Sequence, residues 1–204
     1  KVSTLNLARI AYETKSEEEY LERLAHLNEL NLKVLDVVRQ IITRNHEKGL
    51  LPNYCDGLID IETQYNTIGV IGCYETMRAF GYTYQDELGN TFYKPEADAF
   101  GEKIFKVITE GKNKFIEDKN YKVSIEQIPG EQAAAKMQQA DTLLYPNDVI
   151  RDLPLYGNQF IPLGIKTTLA ERVRIASEFD GYCNGGSILH ANIDAPFNSF
   201  EKAW

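Results

Sequence analysis

Apolar side chains recur at three- and four-residue intervals from Leu21 to Ile42, among them Leu24, Leu27, Val34, Leu35, Val38 and Ile41. That spacing predicts one long helix with an unusually wide apolar face. Ser16 followed by Glu19 has the form of a capping box at its start, and His46, Lys48, Gly49 and Pro52 mark its end. The helix, over about 16–48, spans roughly 45 Å at 1.5 Å per residue. So wide a stripe needs partners on more than one side, which points to a packing helix inside a larger assembly.

Elsewhere the period changes. Val2–Ala11 is strand-like, and Ile68, Val70 and Ile71 make a β-branched run punctuated by Gly69 and Gly72, leading into a helical Tyr74–Phe80. Turn formers over Gln85–Asn90, flanked by Tyr82, Tyr84, Phe92 and Tyr93, predict a surface hairpin or loop. Pro95 suits the first residue of a helix running to about Asp118. Tyr121–Ile128 alternates as a strand, and Pro129-Gly130 turns it directly into a helix over Glu131–Gln139. After a loop rich in Pro, Asn and Asp and a short apolar Gln159–Leu163, a second capping box, Thr168 with Glu171, opens a helix to about Phe179. Gly185-Gly186 then precedes a final strand, Ser187–Ile193. Strands separated by helices of ten or more residues imply a helix-rich, parallel α/β arrangement. About four strands are few for a closed barrel. With no internal repeat and no low-complexity linker, 1–204 forms a single segment whose α/β units cover about 58–193. It is one domain or part of a bigger barrel, and a start on Lys1 close to an apolar run looks cut from something longer.

Composition narrows the function. A hydrophobic fraction of 43% with 25% charged residues is that of a soluble globular protein. With 22 basic against 30 acidic side chains the net charge is −8, which would repel a nucleic-acid backbone unless the cations clustered. No apolar run is long enough for a membrane span, so neither nucleic acid nor membrane is expected as a partner. Cys55, Cys73 and Cys183 form neither a disulfide framework nor a C-x-x-C pair, which fits a reducing cytoplasm. Small buried hydrophobes are the ordinary role for such cysteines, with Cys55, in a polar loop, the one expected at the surface.

The strongest local chemistry lies in Ile125–Lys136. A strand ending in Pro-Gly with a small-residue helix start leaves backbone N–H groups unshielded, and the helix dipole favours an anion there. Phosphate is the natural guest, held by the amides of Gly130, Glu131, Gln132, Ala133 and Ala134, with Glu131 and Gln132 bordering the site. The competing explanation is a plain strand-to-helix turn whose alanines pack against the sheet. Gln64–Gly72 and Cys183–His190 carry glycines of the kind that mark close approach of a backbone or ligand, but neither has a dinucleotide or Walker pattern. His190 is expected as a core residue, and His26 and His46 on the wetted side of the long helix. Asp180, Asp194 and Glu75 have no spacing that pairs them. No metal cluster and no catalytic residue is assigned.

Five blocks in order resemble one family, the anaerobic, class III ribonucleotide reductases. Ser3-Thr-Leu-Asn-Leu-Ala-Arg-Ile-Ala11 is similar to that family's Asn-Leu-Pro-Arg-Ile-Ala segment, with Ala8 where proline is common. Thr67-Ile-Gly-Val-Ile-Gly-Cys-Tyr-Glu75 resembles its glycine-punctuated strand and helix. Gln127-Ile-Pro-Gly-Glu-Gln-Ala-Ala134 resembles its Gln-x-Pro-x-Glu-x-Ala loop, and Leu155–Pro162 and Gly185–His190 resemble two later blocks.

The resemblance implies a ten-stranded α/β barrel of the glycyl-radical enzyme type and the reduction of ribonucleotides to deoxyribonucleotides. It implies, for the parent enzyme, a glycyl radical installed by a radical-SAM activase, a thiyl radical on a finger-loop cysteine that removes the ribose 3′ hydrogen, and a C-terminal structural zinc. Formate or a thiol system as reductant, dNTP and ATP effectors, a homodimer and a ribonucleotide substrate complete it. The family's finger-loop cysteine would lie upstream of Lys1 and its glycyl-radical region beyond Trp204. None of Cys55, Cys73 and Cys183 matches a radical carrier, so this segment alone would be inactive. The alternatives are another glycyl-radical enzyme of the pyruvate formate-lyase kind, or a non-catalytic α/β structural or interaction module.

Overall fold

Three strands pair in parallel in the order β1-β2-β5: β1 (Val2–Asn6), β2 (Asn66–Ile71) and β5 (Val123–Gln127). The computed structural model describes residues 1–191 and 199 of the chain. Between β1 and β2 run α1 (Leu7–Glu13), α2 (Glu17–Glu47), a short α3 (Pro52–Cys55) and a single 3₁₀ turn. Between β2 and β5 come α4 (Cys73–Ala79), an antiparallel hairpin of β3 (Thr83–Gln85) and β4 (Thr91–Tyr93), and α5 (Pro95–Lys119). After β5 follow α6 (Glu131–Leu144) and α7 (Leu169–Asp180). The mixed α/β architecture with a parallel sheet is the one the spacing predicts.

The strand register sorts the sheet into two unlike faces. Ser3, Ile68 and Ile125 align in one row and Leu5, Val70 and Gln127 in another. The buried members of that face pack with Leu24, Leu32 and Leu35 of α2 and Ile104, Phe105 and Ile108 of α5 in the main core. Because alternate side chains point to opposite faces, the other face carries Thr4, Asn6, Thr67, Gly69, Ser124 and Glu126. It is mostly polar, with Val2 at its start and Ile71 packing into a second, smaller core, and a hydroxyl pair, Thr67 with Ser124 at 3.1 Å, spans its neighbouring strands.

Helix α2 covers its predicted range. Ser16 Oγ accepts from the Glu19 amide at 3.2 Å, and Glu19 reaches back to the Lys15 amide at 2.9 Å, one residue earlier than the box predicts. Thr168 caps α7 in the same way, but Glu171 turns aside to accept from the Tyr93 amide at 3.0 Å. Only part of the α2 stripe is covered: Leu30, Val34, Val37, Val38 and Ile41 remain exposed, as a helix built for partners on two sides requires.

Four expectations are corrected. The strand-like Val2–Ala11 is strand only to Asn6. There Asn6 Oδ1 accepts from the Arg9 amide at 3.1 Å and caps α1, so the β-like composition yields to a helix. Helix α6 runs beyond Gln139 to Leu144. The final strand is absent over Ser187–Ala191, and residues 192 and 193 lie outside the described residues. In its place a looser segment follows the outer edge of β5: Gly185 N donates to Ile125 O, Gln127 N to Gly186 O, and only Glu126 and Gly186 form a bridge. His190 is exposed and not a core residue, its Nδ1 3.4 Å from Gln159 Nε2.

Candidate functional site

The carboxyl ends of parallel strands are where an open α/β sheet places its ligand sites, and there the five family-like blocks converge. β1 ends in Asn6, β2 passes through Gly72 into α4, and β5 passes through Ile128, Pro129 and Gly130 into α6. The Leu155–Pro162 segment crosses over these ends, and Gly185–Gly186 lies along β5.

At the start of α6 the predicted turn is present, with Gly130 as N-cap and no side chain capping the helix. Two of the five predicted amides are already used: Gly130 N donates to Ile128 O and Ala134 N to Gly130 O, both at 2.8 Å. The amides of Glu131, Gln132 and Ala133 have no partner among the described residues, as the first turn of a helix leaves them. The alanines divide between the two explanations. Ala134 is fully buried with Ala8, Ile71, Ile128 and Tyr156 in a second, smaller core, whereas Ala133 is half-buried and Ala135 exposed. Gly130 leaves the turn slim: a Cβ there would lie 2.9 Å from Ile128 Cδ1, the movable end of that side chain, and anything bulkier would crowd the turn.

A buried polar cluster stands behind this turn. Asp141 of α6, fully buried, accepts from Asn6 Nδ2 at 2.8 Å, Arg9 Nε at 2.6 Å and Tyr156 OH at 2.9 Å. One carboxylate thus ties β1, α1 and the crossing segment to α6. Burial pushes the Tyr12 phenol up to about 12, and its oxygen accepts from the Ile150 amide at 3.2 Å. Glu75, on α4, is 2% exposed; its Oε1 accepts from the Gly157 amide at 2.9 Å and its Oε2 has no partner among the described residues. Burial raises its carboxyl to about 7, against two backbone hydrogen bonds that favour the charged form. A cleft of about 240 Å³ borders the crossing segment, lined by residues that include Tyr156, Gly157, Asn158 and Pro162.

Sequence spacing missed this cluster because its members lie far apart in the chain. Asn6 and Asp141 are 135 residues apart, and Glu75 and Gly157 are 82 apart. Of the other two carboxylates that sequence spacing left unmatched, Asp180 is exposed and accepts from Ser187 Oγ, and Asp194 lies outside the described residues. His26 is exposed and His46 half-buried. Cys55 is exposed and Cys73 and Cys183 are buried, as the composition of their surroundings predicts. Burial pushes the Cys183 thiol up to about 12 and Cys73 higher still. Cys55 lies at the opposite end of the sheet, beside His46 and the turn before β2. Among the described residues no group of three His, Cys, Asp or Glu side chains could hold a metal ion, and no helix is long and apolar enough to cross a membrane.

The family profile described as anaerobic ribonucleoside-triphosphate reductase matches residues 1–204. The chain belongs to that family. Solved structures agree. An anaerobic ribonucleotide reductase superposes with a TM-score of 0.93 at 35% identity, covering 100% of this chain and 32% of its own. The Thermotoga maritima enzyme in complex with dATP and CTP gives 0.90 at 35% identity, covering 97% of this chain and 32% of its own. The same enzyme with dATP in the specificity site gives 0.89 at 36%, over 95% and 33%. The chain therefore spans about a third of the length of these reductases. No curated protein sequence matches it significantly.

Proposed function

We propose that the protein to which this chain belongs reduces ribonucleotides to deoxyribonucleotides, and that this part supplies the phosphate end of the substrate pocket. The observation that carries the reading is the family match over the whole chain, with its blocks gathered at one end of one parallel sheet. The unpaired amides of Glu131, Gln132 and Ala133, at the positive end of α6, are the anion-binding groups, with Gly130 and Ala134 shaping the turn. Such a site takes nucleotides one at a time through backbone donors, which suits a chain with net charge −8. Neighbouring structures solved with dATP and CTP support nucleotide binding in this family.

The same reading gives the full enzyme a glycyl radical installed by a radical-SAM activase, a structural zinc, formate or a thiol as reductant, dNTP and ATP effectors, a homodimeric state and a cytoplasmic location. The radical would supply hydrogen abstraction. The residues described here bind and orient: Asp141 and its three donors fix the angle between α6 and the β1–α1 joint. The full-length protein, titrated with ribonucleoside triphosphates, is expected to bind them, and no binding at millimolar concentration would overturn the reductase reading in favour of a pyruvate formate-lyase-like enzyme or a structural module. Gly130→Val, which crowds the turn, is expected to weaken triphosphate binding about tenfold, the loss of one or two charge-assisted hydrogen bonds. Unchanged affinity would overturn the site assignment alone.

A further inference from the structure

Three consecutive residues of the crossing segment, Tyr156, Gly157 and Asn158, are each tied to a different part of the candidate site. Tyr156 OH donates to Asp141 in the last turn of α6. Gly157 is held twice: its carbonyl accepts from the Gly72 amide at 2.9 Å, and its own amide donates to Glu75 Oε1 at 2.9 Å. Asn158 Nδ2 donates to Glu131 Oε1 at 3.2 Å, engaging the acidic residue of α6's first turn. A side chain at position 157 would run into Pro162 of the same segment, so the backbone there has no room to shift past its partners.

The middle tie is the unusual one. Glu75 is a carboxylate in a fully packed stretch, Ile71–Met77, buried at every residue, and among the described residues its one hydrogen bond beyond its own backbone goes to a loop amide. Burying a carboxyl is costly unless it is well paired. A neutral, apolar residue would serve a plain core better, and one acceptor aimed at one backbone N–H is a device for fixing a loop.

We propose that Glu75 is a positioning residue of the nucleotide site: by accepting from the Gly157 amide it fixes the Tyr156–Asn158 strap, so that the Asn158 amide stays bonded to the Glu131 carboxylate and offsets part of its repulsion of an anion at the open amides of α6. The inference rests on the phosphate-turn reading above. Glu75 touches no nucleotide in this arrangement, and its effect passes through Gly157 and Asn158.

The test uses the full-length enzyme with CTP as the probe, by calorimetry on the unactivated protein and by steady-state kinetics on the activated one. Glu75→Gln keeps an oxygen acceptor for Gly157 and is expected to bind CTP within about twofold of the unsubstituted enzyme. Glu75→Ala leaves the Gly157 amide unpaired and is expected to weaken CTP binding and raise KM about tenfold, with kcat nearly unchanged. A merely structural loss would lower kcat through the amount of folded enzyme and leave KM alone, and that result overturns the proposal. So does a Glu75→Ala enzyme that binds CTP normally, or a Glu75→Gln enzyme as weak as Glu75→Ala. If Glu75→Ala does not accumulate as folded protein, the half-buried Asn158 decides: Asn158→Ala is expected to weaken CTP about threefold, and unchanged affinity overturns the proposal. Gly130→Val separates the two readings. If it weakens CTP while the strap variants do not, the strap inference alone fails; if it too leaves affinity unchanged, the phosphate-turn reading fails.

Discussion

The β2–α4 and β5–α6 joints are built alike and end differently. Each is a parallel strand passing into a helix through a glycine N-cap that has no side-chain capping bond. At Gly72 the joint is filled. Its amide donates to Gly157 O, the first residues of α4 are all buried, and the backbone sits at φ +88° with Ala8 pressed against it. At Gly130 the joint is open, with φ −111° and Glu131 and Gln132 exposed; the first-turn amides of both helices lack a backbone partner among the described residues, but only those of α6 lie beneath exposed residues. The Leu155–Pro162 segment makes the difference: it lies down on the first joint and, through Asn158, only borders the second. A glycine-capped helix start is thus closed or left open to solvent according to what is laid across it.

The contrast is broken most sharply at Gly72. Alanine there must adopt a left-handed φ and place a Cβ 2.9 Å from Ala8 N and Cβ, neither of which can turn away. Gly72→Ala is expected to destabilise the full-length protein by about 2–4 kcal/mol, read as a lowered midpoint in urea. A loss below about half a kcal/mol would show that the joint is looser than described.

Next in size is a pH effect from the carboxyl that pins the filled joint. Burial raises Glu75 from 4.5 to about 7, with Asp152 adding repulsion. The folded state therefore holds this proton more tightly than the unfolded chain does. Its contribution is fully present below about pH 4.5 and is lost as pH rises through about 7, a swing on the order of 3 kcal/mol against the other titrations. Glu75→Gln should flatten the fall in melting temperature between these pH values. An unchanged profile would mean that the carboxyl is solvated.

At the open joint the same kind of substitution should do little to stability. Gly130→Ala has an ordinary φ and meets only the flexible end of Ile128. Relief of unfolded-state entropy offsets that contact, so the change is expected within about 1 kcal/mol of zero. A loss as large as that at Gly72 would erase the distinction between the joints.

Local chemistry made the open joint legible: Pro129-Gly130 followed by Glu131–Ala135 shows a strand-to-helix turn, and its exposed donors follow from helix geometry alone. The long α2, the α5 start at Pro95 and the hairpin after Tyr82 were legible for the same reason, since caps, period and turn residues act within a few positions. The filled joint was not. Nothing near Gly72 or Glu75 announces that residues about eighty positions later will lie on them, and Glu75 alone looks like one more acidic residue. Asp141 likewise acquires its three donors only when β1, α1 and the strap arrive. The strand expected over Ser187–Ile193 fails over its described residues for a related reason: Asn184 Oδ1 and Gln127 Oε1 take up backbone amides that a ladder would have used.

The smallest expected effect tests the electrostatics of the open joint. Glu131 favours the helix dipole when the site is empty but opposes an incoming phosphate, and Asn158 draws on one of its oxygens. Because the residue is exposed, water screens the repulsion, and removing the charge is worth only about half a kcal/mol. Glu131→Gln is therefore expected to tighten ribonucleoside triphosphate binding by about two- to threefold at low salt. Raising the ionic strength from about 0.01 M to 1 M shortens the screening length from roughly 30 to 3 Å, so the gain should vanish across that range. A gain that persists in high salt would place the carboxylate in direct contact with the bound anion. A loss of affinity would mean that Glu131, held by Asn158, helps to shape the turn more than its charge opposes the ligand.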